Sequence, residues 1–109
     1  MNTNAPDRGP VREVLATAEG LRVQLVTLDK GQLVPWHRHT VVADTILAVV
    51  GSVVVELRAS IALHQLEPGD RLTIPAGTVH MVHGRDGVPC RFLNLHSGGI
   101  YDFQLIEAS

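Results

Sequence analysis

The sequence predicts an all-β fold, either a sandwich or a barrel of short strands. Hydrophobic residues recur with period two along most of the chain, as they do on half-buried strands. Turn signals rich in Gly, Pro and Asp interrupt this pattern every ~8 to 12 residues, a spacing typical of all-β domains. Only residues 11–19 compete as a helix, and their β-branched residues suit a strand equally well.

The first half of the chain contains three clear strand candidates. Residues 21–25 alternate between apolar and polar side chains and lead to a turn at residues 29–31. Residues 46–50 form an apolar run that stops at Gly51. Residues 53–58 then resume in Val, which favours strands because it is branched at Cβ.

The second half of the chain continues the same pattern. Residues 71–74 form a short strand candidate between two turns that contain Pro and Gly. Further extended segments, separated by turn residues at 84–87 and 98–99, are expected at residues 79–83, 91–95 and 101–106.

Length and composition limit the organisation of the chain to one folded domain. The 109 residues suffice for a single core and leave no room for a second. Residues 1–10 are polar and include two prolines, so we expect a flexible N-terminal arm there. Residues 11–109 then form one barrel domain. The single cysteine, Cys90, cannot form an internal disulfide and is expected to pack in the apolar core.

Charge and hydropathy argue against two classes of protein, those that bind nucleic acid and those that span a membrane with a helix. Nine Lys and Arg against eleven Asp and Glu, with no basic stretch, argue against a nucleic-acid-binding protein. The longest apolar run has five residues, against ~20 for a membrane-spanning helix. The polar N-terminus lacks the apolar core of a signal peptide, so a cytoplasmic protein is expected.

The histidines carry the functional signal. His37 and His39 lie two residues apart on an expected strand, so their side chains point to the same face. Asp44 follows five residues later, where a bend can return it to that face, and His80 comes directly after a turn. Imidazole and carboxylate together suit a divalent transition metal ion such as Fe, Mn, Ni, Cu or Zn.

At these positions the sequence resembles the cupins. Residues 31–51 match the spacing of the first cupin motif, G-x5-H-x-H-x(3,4)-E-x6-G, and residues 69–84 match the second, G-x5-P-x-G-x2-H-x3-N. The resemblance implies a double-stranded β-helix, an RmlC-like jelly-roll barrel. It also implies that His37, His39 and His80 are metal ligands.

Two positions depart from the cupin motifs. Asp44 stands where the first motif has Glu, and its side chain is shorter by one C–C bond of ~1.5 Å. Three interpretations stay open: Asp44 binds the metal directly, binds through water, or leaves the site to three histidines. Gly84 stands where the second motif has Asn, which removes a side chain that supports the ligands.

Further residues are expected to line the barrel. His96 follows Phe92 and Asn94 at period two, on a strand that lines the barrel in cupins, so it is a candidate catalytic acid or base. Tyr101 and its neighbours near the C-terminus are candidates to close one end of the barrel. The other inward positions are mostly aliphatic and none is clearly Arg or Lys, which favours a small, weakly polar substrate.

These features give two competing functions. The first is a metal-dependent enzyme for a small organic substrate, either dioxygenase-like or a lyase or isomerase. The second is a non-catalytic cupin that binds a metal or small ligand for sensing or storage, and a degenerate cupin without metal is a third possibility. Small cupins pair through their barrel edges, so the resemblance also implies a homodimer.

Overall fold

Two five-stranded antiparallel sheets enclose the core in the computed structural model, which describes residues 9–107. Most of the expected flexible arm, residues 1–8, lies outside the described residues. The strands are β1 (Val11–Ala18), β2 (Leu21–Leu28), β3 (Leu33–Arg38), β4 (Ala43–Val50), β5 (Val53–Leu57), β6 (Ala62–Leu66), β7 (Arg71–Ile74), β8 (His80–Gly84), β9 (Cys90–Ser97) and β10 (Gln104–Leu105).

The strand order confirms the predicted all-β fold. One sheet has the order β1-β2-β9-β4-β7 and the other has the order β10-β3-β8-β5-β6. Neighbouring strands far apart in sequence, such as β2 and β9, give the arrangement of a double-stranded β-helix. Within residues 9–107 there is one 3₁₀ turn, Arg85–Gly87, and no helix long and apolar enough to cross a membrane.

Two elements differ from the sequence expectations, and one segment that was left open is decided by the structure. The ambiguous segment near the N-terminus is a strand, β1, with a bulge between Val14 and Ala16. Strand β6 was not anticipated, because its apolar residue Leu63 faces solvent and breaks the expected alternation. At the C-terminus only the two residues of β10 pair with β3, and the rest of the expected strand is irregular.

The interior divides into an apolar end and a polar end. On β2, Val26 and Leu28 are fully buried in the apolar core, whereas Gln24 is buried at the polar end. Strand β9 runs antiparallel beside β2 and divides in the same way, with Phe92 in the core and Asn94 opposite Gln24. Cys90 lies in the apolar core on β9, as expected from the sequence. The buried polar residues are therefore concentrated at one mouth of the barrel.

The packing around Gly84 explains why this chain lacks the Asn of the second cupin motif. It is buried at the end of β8, where the chain enters the 3₁₀ turn. A Cβ atom on Gly84 would lie 1.9 Å from the carbonyl oxygen of Val88, far inside van der Waals contact. No side chain fits at this position, so this chain cannot carry the Asn of the motif without moving the turn.

Candidate metal centre

The structure brings the four predicted ligands together at the polar end of the barrel. His37 on β3 and His80 on β8 are paired across the second sheet, and Asp44 lies on β4 of the first sheet. His39 follows β3 by one residue. All four side chains are buried, and one donor atom from each lies within 4.8 Å of the others. Such a set can hold a metal ion.

Each of the three histidines is fixed by a backbone carbonyl on its Nδ1 side. His37, His39 and His80 make these contacts at 2.8, 2.6 and 2.8 Å, with the carbonyl oxygens of Pro35, Asp102 and Thr78, respectively. A carbonyl only accepts hydrogen bonds, so each Nδ1 must carry the proton and donate it. The lone pair of each Nε2 is therefore free for a metal, the usual arrangement of metal-binding imidazoles.

The Asp44 carboxylate reaches this cluster although its side chain is short. Its Oδ2 atom lies 3.3 Å from Nε2 of His39 and 3.2 Å from Nε2 of His80. Its Oδ1 atom accepts a hydrogen bond of 2.8 Å from Nδ2 of Asn94. Burial acts to raise the pKa of Asp44, but the close approach of the His39, His80 and His96 imidazoles holds it well below its ordinary value. Asp44 is thus a carboxylate with one oxygen directed at the histidines.

The electrostatics of the cluster suit a cation. Burial and the neighbouring His80 lower the pKa of His37 to about 3, so this imidazole is neutral at physiological pH. Burial also acts to lower the pKa of His39, but Asp44 and the Asp102 carbonyl outweigh it and raise the pKa. Nε2 of His39 is buried at ion-pair distance from Asp44 but lacks a hydrogen bond of good geometry. A metal ion would give this orphaned nitrogen a partner.

His96 lies next to the cluster but differs from its three histidines. Its Nε2 atom is 3.5 Å from Oδ1 of Asp44, and its ring packs 4.6 Å from the ring of Tyr101, between centroids. Its Nδ1 atom is buried without a hydrogen-bond partner, so no carbonyl fixes its tautomer. The expectation that His96 lines the barrel agrees with this position, while its catalytic role stays a prediction.

A C-terminal strap, residues 98–107, closes the mouth of the barrel over the cluster. The ring of Phe103 stacks on His37, with 4.5 Å between centroids and an angle of 10°. The Asp102 carboxylate accepts hydrogen bonds from the backbone N–H and the hydroxyl of Thr40, at 2.7 and 2.6 Å. The cavity left beside the ligands is about 10 Å³, roughly the space of one water molecule.

Two arginines approach this mouth, and the sequence analysis anticipated neither of them. Arg12 lines the same cavity as the ligands, and the Cζ atom of Arg22 lies 4.2 Å from the centre of the Tyr101 ring. On strand β2, Gln24 is buried and Arg22, of the same parity, is half-buried, whereas Leu21 is exposed. Both faces of β2 carry apolar residues, so the sequence alone gave no signal for this orientation.

Gln24 is a second residue that the sequence analysis missed. Its Nε2 atom donates a hydrogen bond of 3.2 Å to Oδ1 of Asn94, which in turn donates to Asp44. This chain of buried amides orients the carboxylate through Oδ1, while Oδ2 faces His39 and His80.

His83 lies away from the cluster. It pairs with Glu56 at 2.6 Å, and both side chains are partly exposed.

Comparisons with known proteins agree with this fold. Residues 24–96 match the family model of the cupin domain, Cupin_2. An uncharacterized conserved protein with a double-stranded β-helix domain from Klebsiella pneumoniae is 22% identical, with a TM-score of 0.80 over 95% of this chain and 90% of its own. KdgF from Halomonas sp. is 24% identical, with a TM-score of 0.75 over 92% of this chain and 90% of its own.

A third similar structure, from work on the DMSP lyases RdDddP and RnDddQII, is 26% identical, with a TM-score of 0.69. The match covers 80% of this chain and 44% of that one. No curated protein sequence is significantly similar to the chain.

Proposed function

Because this chain belongs to the cupin domain family, we propose that its barrel binds one divalent transition metal ion and acts on a small organic substrate. The ligands in this proposal are His37, His39, Asp44 and His80. The observation that supports it most is the common orientation of the three imidazoles, whose Nδ1 atoms all donate to backbone carbonyls. Their Nε2 atoms and one carboxylate oxygen are left facing one another in a buried space.

The metal would supply Lewis acidity and open coordination positions for substrate or oxygen. Fe, Mn, Ni, Cu and Zn all suit a set of imidazole and carboxylate ligands. Direct binding by Asp44 is the favoured form, since its Oδ2 atom already lies among the imidazoles. Asn94 and Gln24 keep that carboxylate in place through their hydrogen bonds.

His96 is the acid or base of this proposal. Its Nδ1 atom is buried and without a partner, so it can take a proton from a substrate and return it. The Oδ1 atom of Asp44 lies 3.5 Å from Nε2 of His96 and helps to orient its ring. Phe103, which stacks on His37, and Tyr101, which packs on His96, keep bulk water away from these two imidazoles.

The reaction class is either dioxygenase-like or that of a lyase or isomerase. The similarity to a structure of DMSP lyases favours the lyase, since proton removal by His96 is a step that a lyase needs. A non-catalytic role in binding or sensing is the second candidate. The cavity of about 10 Å³ favours it, because a metal ion fits there and a substrate does not while the strap is closed.

The deciding experiment measures metal content by inductively coupled plasma mass spectrometry on protein purified without a histidine tag or chelator. We expect about one metal ion per chain, followed by turnover in a screen that monitors oxygen uptake and product formation. Absence of metal after reconstitution with each of the five candidate ions would overturn the metal site. A metal-loaded protein that binds small ligands without turnover would favour the second candidate.

We also propose that the chain is a cytoplasmic homodimer. Strand β1 is an edge strand whose residues are all exposed, including Val11, Val14 and Leu15 at 58, 49 and 51%. An edge strand with exposed apolar residues promotes aggregation, and pairing with a second copy prevents this by covering the edge. Light scattering should give twice the chain mass of 11.8 kDa, and a single-chain mass would contradict the dimer. Cell fractionation tests the location.

A further inference from the structure

A positively charged group without an anionic partner lies beside the proposed metal site. Arg22 is partly buried on β2, and its guanidinium nitrogen Nη1 has neither solvent exposure nor a hydrogen-bond partner. Among residues 9–107, no carboxylate forms an ion pair with Arg22. Within the described residues the guanidinium contacts the ring and phenol of Tyr101, but its buried Nη1 atom has no acceptor. An unpaired buried donor is costly, so Nη1 can take an acceptor that the chain does not supply.

The strand register places Arg22 on the same inner face as the metal ligands. Arg22 on β2 lies opposite His96 on β9, and His96 lies opposite Asp44 on β4. Directly opposed residues of antiparallel strands point to the same face of the sheet, and adjacent strands are ~4.8 Å apart. The backbones of Arg22 and Asp44 are therefore about 10 Å apart, with the candidate acid or base His96 between them.

The C-terminal strap occupies the space in front of this arginine. The ring of Tyr101 lies 4.2 Å from Cζ of Arg22 and contacts the ring of His96 on its other side. Burial raises the pKa of Tyr101, while Arg22 and Arg12 act to lower it, so two guanidinium groups influence this position. Tyr101 supplies an aromatic face to Arg22, but it supplies no negative charge.

We propose that Arg22 binds the carboxylate of a short-chain organic acid whose second oxygen donor reaches the metal. This inference rests on the proposed metal site and names the substrate class for it. A guanidinium group pairs with a carboxylate through two parallel hydrogen bonds, which gives both charge and orientation. The carboxylate takes the place of Tyr101 against Arg22, so the acid enters when the strap moves aside. His96 then lies between the two anchored ends of the substrate.

The test is a calorimetric titration of the zinc-loaded protein with succinate and glutarate. The uncharged counterparts 1,4-butanediol and 1,5-pentanediol show what chain length alone contributes. We expect the dicarboxylates to bind and the diols not to bind. Arg22→Gln should weaken dicarboxylate binding at least tenfold, and Arg22→Lys should weaken it several-fold because it keeps the charge but loses the paired hydrogen bonds. Arg71→Gln, which changes an exposed arginine on β7, should bind like the wild type.

The outcomes separate this inference from the metal site. Zinc content is measured for each variant before titration, and circular dichroism shows whether the variant is folded. Zinc bound at one ion per chain with dicarboxylate affinity unchanged in Arg22→Gln overturns the inference and leaves the metal site standing. If Arg22→Gln does not fold, unchanged affinity in Arg22→Lys overturns it. If the wild type holds no zinc, the metal site fails, and the same titration of the metal-free protein then supports or overturns an anion site at Arg22.

Discussion

Replacing Asp44 by Asn tests the central feature of the site, which is a carboxylate among three imidazoles. The side chain is 2% exposed, and its Oδ2 atom faces the Nε2 atoms of His39 and His80 at 3.3 and 3.2 Å. Asn has the same shape and keeps an oxygen but lacks the charge. Removing one partner of a buried charged pair costs about 3–5 kcal/mol. Asp44→Asn should therefore weaken metal binding roughly 100- to 5000-fold.

The assay is competition for zinc between the protein and a chromophoric chelator of known affinity. The matched control is Glu56→Gln, which removes a carboxylate that pairs with a histidine, His83, outside the cluster. It should bind zinc like the wild type. Thermal melts of the metal-free variants show whether either change disturbs the fold. An affinity of Asp44→Asn within threefold of the wild type would refute the reasoning and leave the site to three histidines.

Three further predictions concern single positions. His80→Ala should reduce bound metal from about one ion per chain to almost none. It should also abolish the rise in melting temperature that metal causes, because metal at a hundredfold excess over Kd stabilises the folded state by about 2.7 kcal/mol. The control His83→Ala should keep both the bound metal and the rise in melting temperature. Gly84→Asn restores the cupin motif but should destabilise the protein by about 3 kcal/mol in urea unfolding, because its Cβ meets the Val88 carbonyl; equal stability would contradict the steric argument. The metal-free protein should lose up to about 3 kcal/mol of stability between pH 6.5 and 4.5. His37, with a pKa lowered to about 3, stays neutral in the folded state while the unfolded chain takes up a proton below about 6.5. A flat profile in urea unfolding, or an equal loss in His37→Gln, would contradict this assignment.

Motif spacing and periodicity predicted the fold, and the same spacing identified the four residues that the structure brings together. The spacing carried this information because glycines and turns fix where each strand starts and ends. His39, expected within a strand, lies just beyond the end of β3 and still reaches the cluster. Its hydrogen-bond acceptor, the carbonyl of Asp102, is 63 residues away and belongs to backbone, so no side-chain pattern could indicate it.

The inward direction of Arg22 shows a second limit of the sequence. Strand β2 alternates, but both of its faces carry apolar residues, so alternation alone does not decide which face is buried. A shift of one residue reverses every side chain, and the register is set only by pairing with β9. For a related reason, the sequence could not decide whether the Asp44 carboxylate reaches the histidines. That depends on how closely β4 approaches β8 across the barrel.

In the proposed metal site, the carbonyl of Asp102 would link the opening of the barrel to the residence time of the metal. The strap that covers the mouth also holds His39 in the tautomer that frees Nε2, so lifting the strap releases one ligand from its orientation. Under the proposed function, exchange of the ion and entry of a substrate would both require the strap to move. The metal bound in the cell would then depend on the order of arrival as well as on the equilibrium order of affinities.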